Sequence, residues 1–210
     1  MPFYLEADAQ RFVRQAHRLL ASFDALNHPR AAGGCCSVSH ELAASNCVLN
    51  LHNHWSQFCK ELIINSAKGG FATRAGVTLP RVAGLPLNND VVAHIQALYH
   101  WRAPREPHWS IAAGYGNSID ACTRLGVANL SDISAALGAV GSPAEELRLV
   151  RNYLAHRNRD TASRASTALS GYGIGRMTSA DTMLRTSISG GSTIYERWVN
   201  ELSLIAFAAC

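Results

Sequence analysis

Apolar residues recur at three- and four-residue spacing over most of this chain, the period of a helix that buries one face. Phe12, Val13, Ala16, Leu19, Leu20, Phe23 and Leu26 trace the first such stripe, which His28-Pro29 stops. After the small-residue run AAGGCCS, the chain continues from about Ser39 to Gly69-Gly70 without an intervening Gly or Pro. Leu51, Trp55, Phe58, Leu62 and Ile63 fall in helical register there, so this stretch is expected to form the long central helix. Between Phe71 and Leu87 the spacing becomes irregular and rich in Thr, Val, Pro and Gly, predicting an extended excursion or a short strand pair. Asn89 is placed to cap a helix from Asp90 to about Trp101, and Pro104 and Pro107 make APREPHW a loop. Ser110 to Gly126 is helix-like with interruptions at Gly114 and Gly116, and LSDISAAL predicts one or two further turns.

The sharpest boundary is Ser142-Pro143-Ala144-Glu145. Ser is the N-cap, Pro occupies the first helical position and Glu closes a capping box, so a helix starts here and runs through EELRLVRNYLAH to about Asn158. Thr193 to Glu196 repeats the capping box and opens a last helix carrying Trp198, Val199, Leu202 and Ile205 on one face. Residues 161–192 are rich in Ser, Thr and Gly and read as a long loop with room for one short helix. The expected architecture is all-α, an antiparallel helical bundle with long loops in one domain spanning 1–210. Within it, 1–28 is an amino-terminal helix, 39–160 and 193–210 supply the bundle core, and 161–192 is the loop.

Composition narrows the class. A hydrophobic share of 48% against 16% charged residues excludes a disordered chain and leaves apolar surface for a partner. The net charge of +4, carried by 17 Arg and 2 Lys, is compatible with nucleic acid without establishing it. Six cysteines lie at 35, 36, 47, 59, 122 and 210 with no CxxC pair, and read as small buried hydrophobes in a reducing cytoplasm. The start MPFYLEADAQRF has no basic, then apolar, secretory pattern, and no stretch reaches the roughly 18 apolar residues of a membrane span. His52 and His54 stand two apart, which on a helix turns them to different faces, so they read as partly buried histidines and not as a metal pair. His94, His100 and His108 show no ligand spacing. GYGIG at Gly171 to Gly175 lacks the preceding strand of a nucleotide site, and no GxSxG elbow is present. No metal and no cofactor is expected.

The chemistry concentrates on the helix opened by Pro143. At roughly 100° per residue, with Arg151 at zero, Leu147, Val150 and Leu154 fall between about 260° and 320° and form its core stripe. Arg151, Ala155, Arg148, Asn152 and His156 occupy the other arc, from 0° to about 140°, with small Ala155 leaving room for close approach. Arg148, Arg151, Arg157 and Arg159 follow one another with no acid before Asp160. An imidazole among guanidinium groups suits an anionic phosphodiester: His exchanges a proton near neutrality, and Arg holds non-bridging oxygens and offsets transition-state charge. Basic side chains near a helix C-terminus are also favoured by the helix dipole alone, so both readings stand at this point.

Arg151 to His156, R-N-Y-L-A-H, resembles the R-x4-6-H motif of the HEPN superfamily, in the form with a polar residue directly after the Arg. RNYLAHR is similar to the RNxxAHR shape of its ribonuclease-type members, the RiboL-PSP-HEPN group among them, and the expected helical bundle is similar in kind. The resemblance covers about residues 40–160 and 193–210. It implies a metal-independent endoribonuclease, a toxin or antiviral-defence effector, that forms a homodimer so that two motifs face each other in one cleft. By the same resemblance His156 acts as general acid or base on the RNA 2′-hydroxyl, Arg151 binds the scissile phosphate and Asn152 positions His156, leaving a 2′,3′-cyclic phosphate. Arg148, Arg157 and Arg159 are then the RNA-binding residues, and an antitoxin or another regulatory protein is an expected partner. Some family toxins are neutralised through a Tyr two residues after the His; Asn158 stands there in this chain. The alternative is a non-catalytic module of the same shape that binds RNA or nucleotide, or mediates protein association, through this face.

Overall fold

The computed structural model describes residues 3–26, 38–99, 107–111, 117–138, 143–177 and 191–210. In chain order these form β1 (Phe3–Tyr4), α1 (Glu6–Ala25), α2 (Val38–Lys68), β2 (Phe71–Ala72), α3 (Asn88–Leu98), α4 (Ser118–Leu125), α5 (Leu130–Leu137), α6 (Pro143–His156) and α7 (Arg159–Leu169). A 3-10 turn (Ser170–Tyr172) and α8 (Ile194–Ala208) complete them. The protein is all-α: the one sheet among the described residues is the parallel pair β1 and β2, with Phe3 opposite Phe71 and Tyr4 opposite Ala72. Among the described residues no helix is long and apolar enough to cross a membrane.

The chain divides into two compact units. The first gathers Met1–Val13, Trp55–Ser142 and Ser203–Cys210. Phe12, Trp55 and Phe58 form its aromatic centre, with ring centroids 5.4 to 5.6 Å apart. Leu62 and Ile63 extend the buried stripe of α2, and Val91, Ile95, Cys122, Leu125, Ile133 and Leu137 bring in α3, α4 and α5. Several polar groups inside are paired, although the Asn129 side-chain oxygen is buried without a partner. Asn129, just before α5, donates to the Ser66 hydroxyl at 3.1 Å, Asn65 donates to Asp8 at 2.6 Å, and Tyr99 donates from the end of α3 to Asp120 at 2.7 Å. Burial, with only partial relief from Asn65 and Arg11, holds the Asp8 carboxyl above its ordinary range.

The second unit gathers Arg14–His54 and Pro143–Leu202. Phe23 of α1 packs on Tyr195 of α8 at 4.7 Å between centroids, and the Tyr195 hydroxyl donates to the Cys47 carbonyl at 3.1 Å. On α6, Leu147, Val150 and Leu154 are buried, the stripe that the helical wheel selects. Each such side chain contributes about 1.5 to 3 kcal/mol on burial. Cys47 in this unit and Cys59, Cys122 and Cys210 in the first are buried free thiols, and burial pushes Cys122 and Cys210 up to about 12. Cys35 and Cys36 lie outside the described residues.

Several elements depart from the sequence expectation. Helix α3 begins one residue before Asn89, because the Asp90 carboxylate accepts the Leu87 backbone N–H at 3.0 Å and fixes the first turn there. The Ser/Thr/Gly-rich stretch holds α7, which starts at Arg159. Its N-cap is Asn158, whose side chain accepts the Thr161 N–H at 2.9 Å. Local capping and the buried Ala165 and Leu169 outweigh the weak helix preference of Ser and Thr here. At α8 the expected cap is present, with Thr193 Oγ1 accepting the Glu196 N–H at 3.1 Å. Ser142, the expected cap of α6, and the segment 178–190 lie outside the described residues.

Candidate functional site

Helix α6 starts at Pro143, whose ring supplies the φ of a first helical residue, and carries Glu145 and Glu146 in its first turn, where the dipole favours acids. Burying Leu147, Val150 and Leu154 turns the opposite face outward. Arg148, Arg151 and Asn152 are half-buried on that face, and Ala155 and His156 are exposed at its end.

The four arginines differ in how their charges are met. Arg148 Nε donates to Glu145 Oε2 at 2.7 Å, one turn back along the helix. Arg157 Nη2 reaches Glu41 Oε1 on α2 at 3.2 Å. Arg159 is exposed at the start of α7. Arg151 has no carboxylate partner among the described residues. Its Nη1 donates to Asn152 Oδ1 at 3.2 Å, and its Nε is buried without a hydrogen-bond partner. A guanidinium in that state is set to donate to an anion's oxygen, since a buried N–H left without an acceptor costs about 1 to 3 kcal/mol.

Arg157 ends the helix in the left-handed region, at φ 42°, with its N–H on the Tyr153 carbonyl at 2.7 Å. The chain therefore leaves α6 immediately after His156 and enters α7 two residues later. This turn sets His156 at the outer end of the basic face.

One further residue, which the sequence reads only as a partly buried histidine, feels the charge of this face. His52 of α2 is half-buried, and its imidazole is pushed down to about 4, chiefly by burial and then by the charges of Arg151 and Arg148. The Glu41 to Arg157 ion pair joins α2 to the residue that follows α6. No local spacing reveals such a shift, because the charges named as its cause lie about a hundred residues downstream.

The structure accordingly brings together Arg148, Arg151 and Asn152 on one face, keeps His156 at the exposed helix end, and commits Arg157 to Glu41. Among the described residues no group of three or more His, Cys, Asp or Glu side chains is placed to hold a metal ion. Compared with models of known families, with curated proteins and with solved structures, the chain finds no match.

Proposed function

We propose that the protein is a metal-independent endoribonuclease in which two copies pair so that their α6 faces form one cleft. The observation that carries this reading is Arg151: a half-buried guanidinium with no carboxylate partner among the described residues, bonded to Asn152 on the face that ends in exposed His156. Arg151 would take the non-bridging oxygens of the scissile phosphate, and His156 would accept the 2′-hydroxyl proton as that oxygen attacks phosphorus. The 5′-oxygen leaves with a proton supplied by the second motif in the cleft, and the RNA keeps a 2′,3′-cyclic phosphate. Arg148, Arg157 and Arg159 would supply the basic surround. The resemblance to HEPN ribonucleases adds a cytoplasmic toxin or antiviral-defence role, restrained by an antitoxin or another regulatory protein.

A second reading is favoured by His156, which makes no hydrogen bond to another described residue that would orient it. On that reading the same face binds RNA without cleaving it. One assay separates the two: wild type and His156→Ala are incubated with total RNA in EDTA, and the ends are mapped. Cleavage by wild type alone, leaving cyclic phosphate ends, supports the ribonuclease; intact RNA with both proteins sinks it. Cleavage that EDTA abolishes would replace the metal-free mechanism with a metal-dependent one.

A further inference from the structure

Just after α2 the chain folds back on itself in a tight hairpin. The Gly70 N–H donates to the Leu79 carbonyl at 3.0 Å, the Leu79 N–H returns to the Phe71 carbonyl at 2.7 Å, and Ala72 bridges Thr78 in antiparallel sense. At the tip the Thr73 N–H donates to the Val77 carbonyl at 2.9 Å and the Val77 N–H to Thr73 Oγ1 at 3.3 Å, with Gly76 turning the chain at φ 80°. The Arg74 N–H donates to the Cys210 carbonyl at 2.8 Å, which pins the tip against the end of α8.

This tip, the first turn of α5 and the end of α8 surround a cavity of about 360 Å³ that opens to solvent, all of it within the first unit. Small-ligand pockets run from about 300 to 1,000 Å³. The lining is divided by chemistry: Phe207 and Ala208 give an apolar wall, Arg74 a cation and Asp132 an anion. Among the described residues neither charged group is met by an ion pair or a side-chain hydrogen bond. Opposite charges that line one cavity without closing on each other leave room between them for a molecule that carries both. Their supports are already fixed. Arg74 sits on the hydrogen-bonded tip, and Asp132 stands between fully buried Ile133 and Asn129, which is held on Ser66 at 3.1 Å. Little main-chain ordering therefore opposes binding.

We propose that this cavity binds a free α-amino acid with an apolar side chain. The Arg74 guanidinium donates to its carboxylate, Asp132 accepts from its ammonium group, and the side chain lies on Phe207 and Ala208. A molecule with only one of the two charges satisfies one protein group and is repelled by the other, so the site selects a zwitterion. No residue of the cavity belongs to α6, and the site stands or falls apart from the ribonuclease reading.

The experiment titrates the full chain by calorimetry at neutral pH with L-leucine and with L-phenylalanine. It is repeated with 4-methylpentanoate and 3-methylbutylamine, the leucine analogues that lack the ammonium and the carboxylate. The expected result is binding of at least one amino acid in the millimolar range or tighter, with each analogue weaker by about tenfold or more. Arg74→Gln and Asp132→Asn should each weaken the amino acid by a similar factor. Both side chains are exposed, so neither change should move the melting temperature of the free protein appreciably.

The NMR signals of Ala75, Asp132 and Ala208 should shift together as the amino acid is added, which locates the ligand without altering any residue. Absence of binding by both amino acids, equal affinity for either analogue, affinity unmoved by either substitution, or shifts confined to other parts of the chain would overturn the proposal.

Discussion

The Glu146 carboxylate accepts the indole N–H of Trp198 at 2.8 Å, tying the first turn of α6 to a fully buried aromatic of α8. The Tyr172 hydroxyl donates to the same carboxylate at 2.9 Å, and Arg197 stands 3.6 Å away while its guanidinium stacks on the Tyr172 ring. Burial raises the Glu146 carboxyl, and the Trp198 and Arg197 contacts pull it back. Glu146→Ala removes the acceptor of the Trp198 and Tyr172 hydrogen bonds and one carboxylate facing Arg197, and should destabilise the protein by about 2 to 4 kcal/mol in denaturant unfolding. Glu146→Gln keeps one acceptor oxygen and should cost about half of that. Equal losses would show that the carboxylate acts only by filling space.

His52 predicts how stability depends on pH. In the unfolded chain its imidazole takes a proton as the pH falls through about 6.5, whereas in the folded chain it resists until about 4. The unfolded state binds more protons across that window, so stability falls as the pH is lowered from 6.5 to 4 and levels off below. Asp8 and Glu146, with carboxyls raised by burial, act with the opposite sign and favour the fold as they protonate. The drop in melting temperature between pH 7 and 5 should be smaller in His52→Gln than in wild type. An identical drop in both would remove His52 as its source.

Gly69 and Gly70 form a matched pair at the end of α2. Both have positive φ, 70° and 75°, but a Cβ at Gly69 would collide with the Arg81 backbone and lie 2.7 Å from the Pro80 carbonyl carbon, while one at Gly70 meets nothing within 4 Å. Gly70→Ala should cost about 1 to 2 kcal/mol from backbone conformation alone. Gly69→Ala should cost roughly twice as much or more, because backbone must move to admit the methyl. Chemical denaturation of the two variants reads the difference directly.

The arginines of the basic face should not be equivalent toward RNA. Arg151→Ala removes the guanidinium that no carboxylate meets and should weaken binding most, by about 1.5 to 3 kcal/mol for a charge-assisted contact. Arg148→Ala frees Glu145 as well as losing a cation, and Arg157→Ala frees Glu41, so their effects mix repulsion with lost attraction. Exposed Arg159 should act through phosphate alone, its loss lowering the salt dependence of binding by about one unit of slope. Titrations of the four variants at several salt concentrations test this order. Equal losses across all four would mean diffuse electrostatics and no organised phosphate site.

What the sequence disclosed follows the range of the forces involved. The stripe of α6, the run of α2 and the Thr193 cap are set by neighbours within four residues, and all three are present. The β1 and β2 pair was half visible, because Phe71-Ala72 looked extended whereas Phe3-Tyr4 is a two-residue strand given meaning only by its distant partner. Helix α7 was masked by Ser and Thr, whose weak propensity is overridden by an Asn cap and two buried side chains. Among the site residues, Arg148, Arg151, Asn152 and His156 shared a readable face. His52 did not, since the charges that shift it belong to residues far downstream in the chain.

The turn between α6 and α7 consists of Arg157 and Asn158 alone, one holding a left-handed backbone and an ion pair, the other a helix cap. Such a junction has no slack. One inserted residue would rotate α7 by about 100° about its axis and turn Ala165 and Leu169 out of the core. Length variation and engineered tags are therefore expected to be destabilising at this point, which ties the position of His156 to the packing of α7.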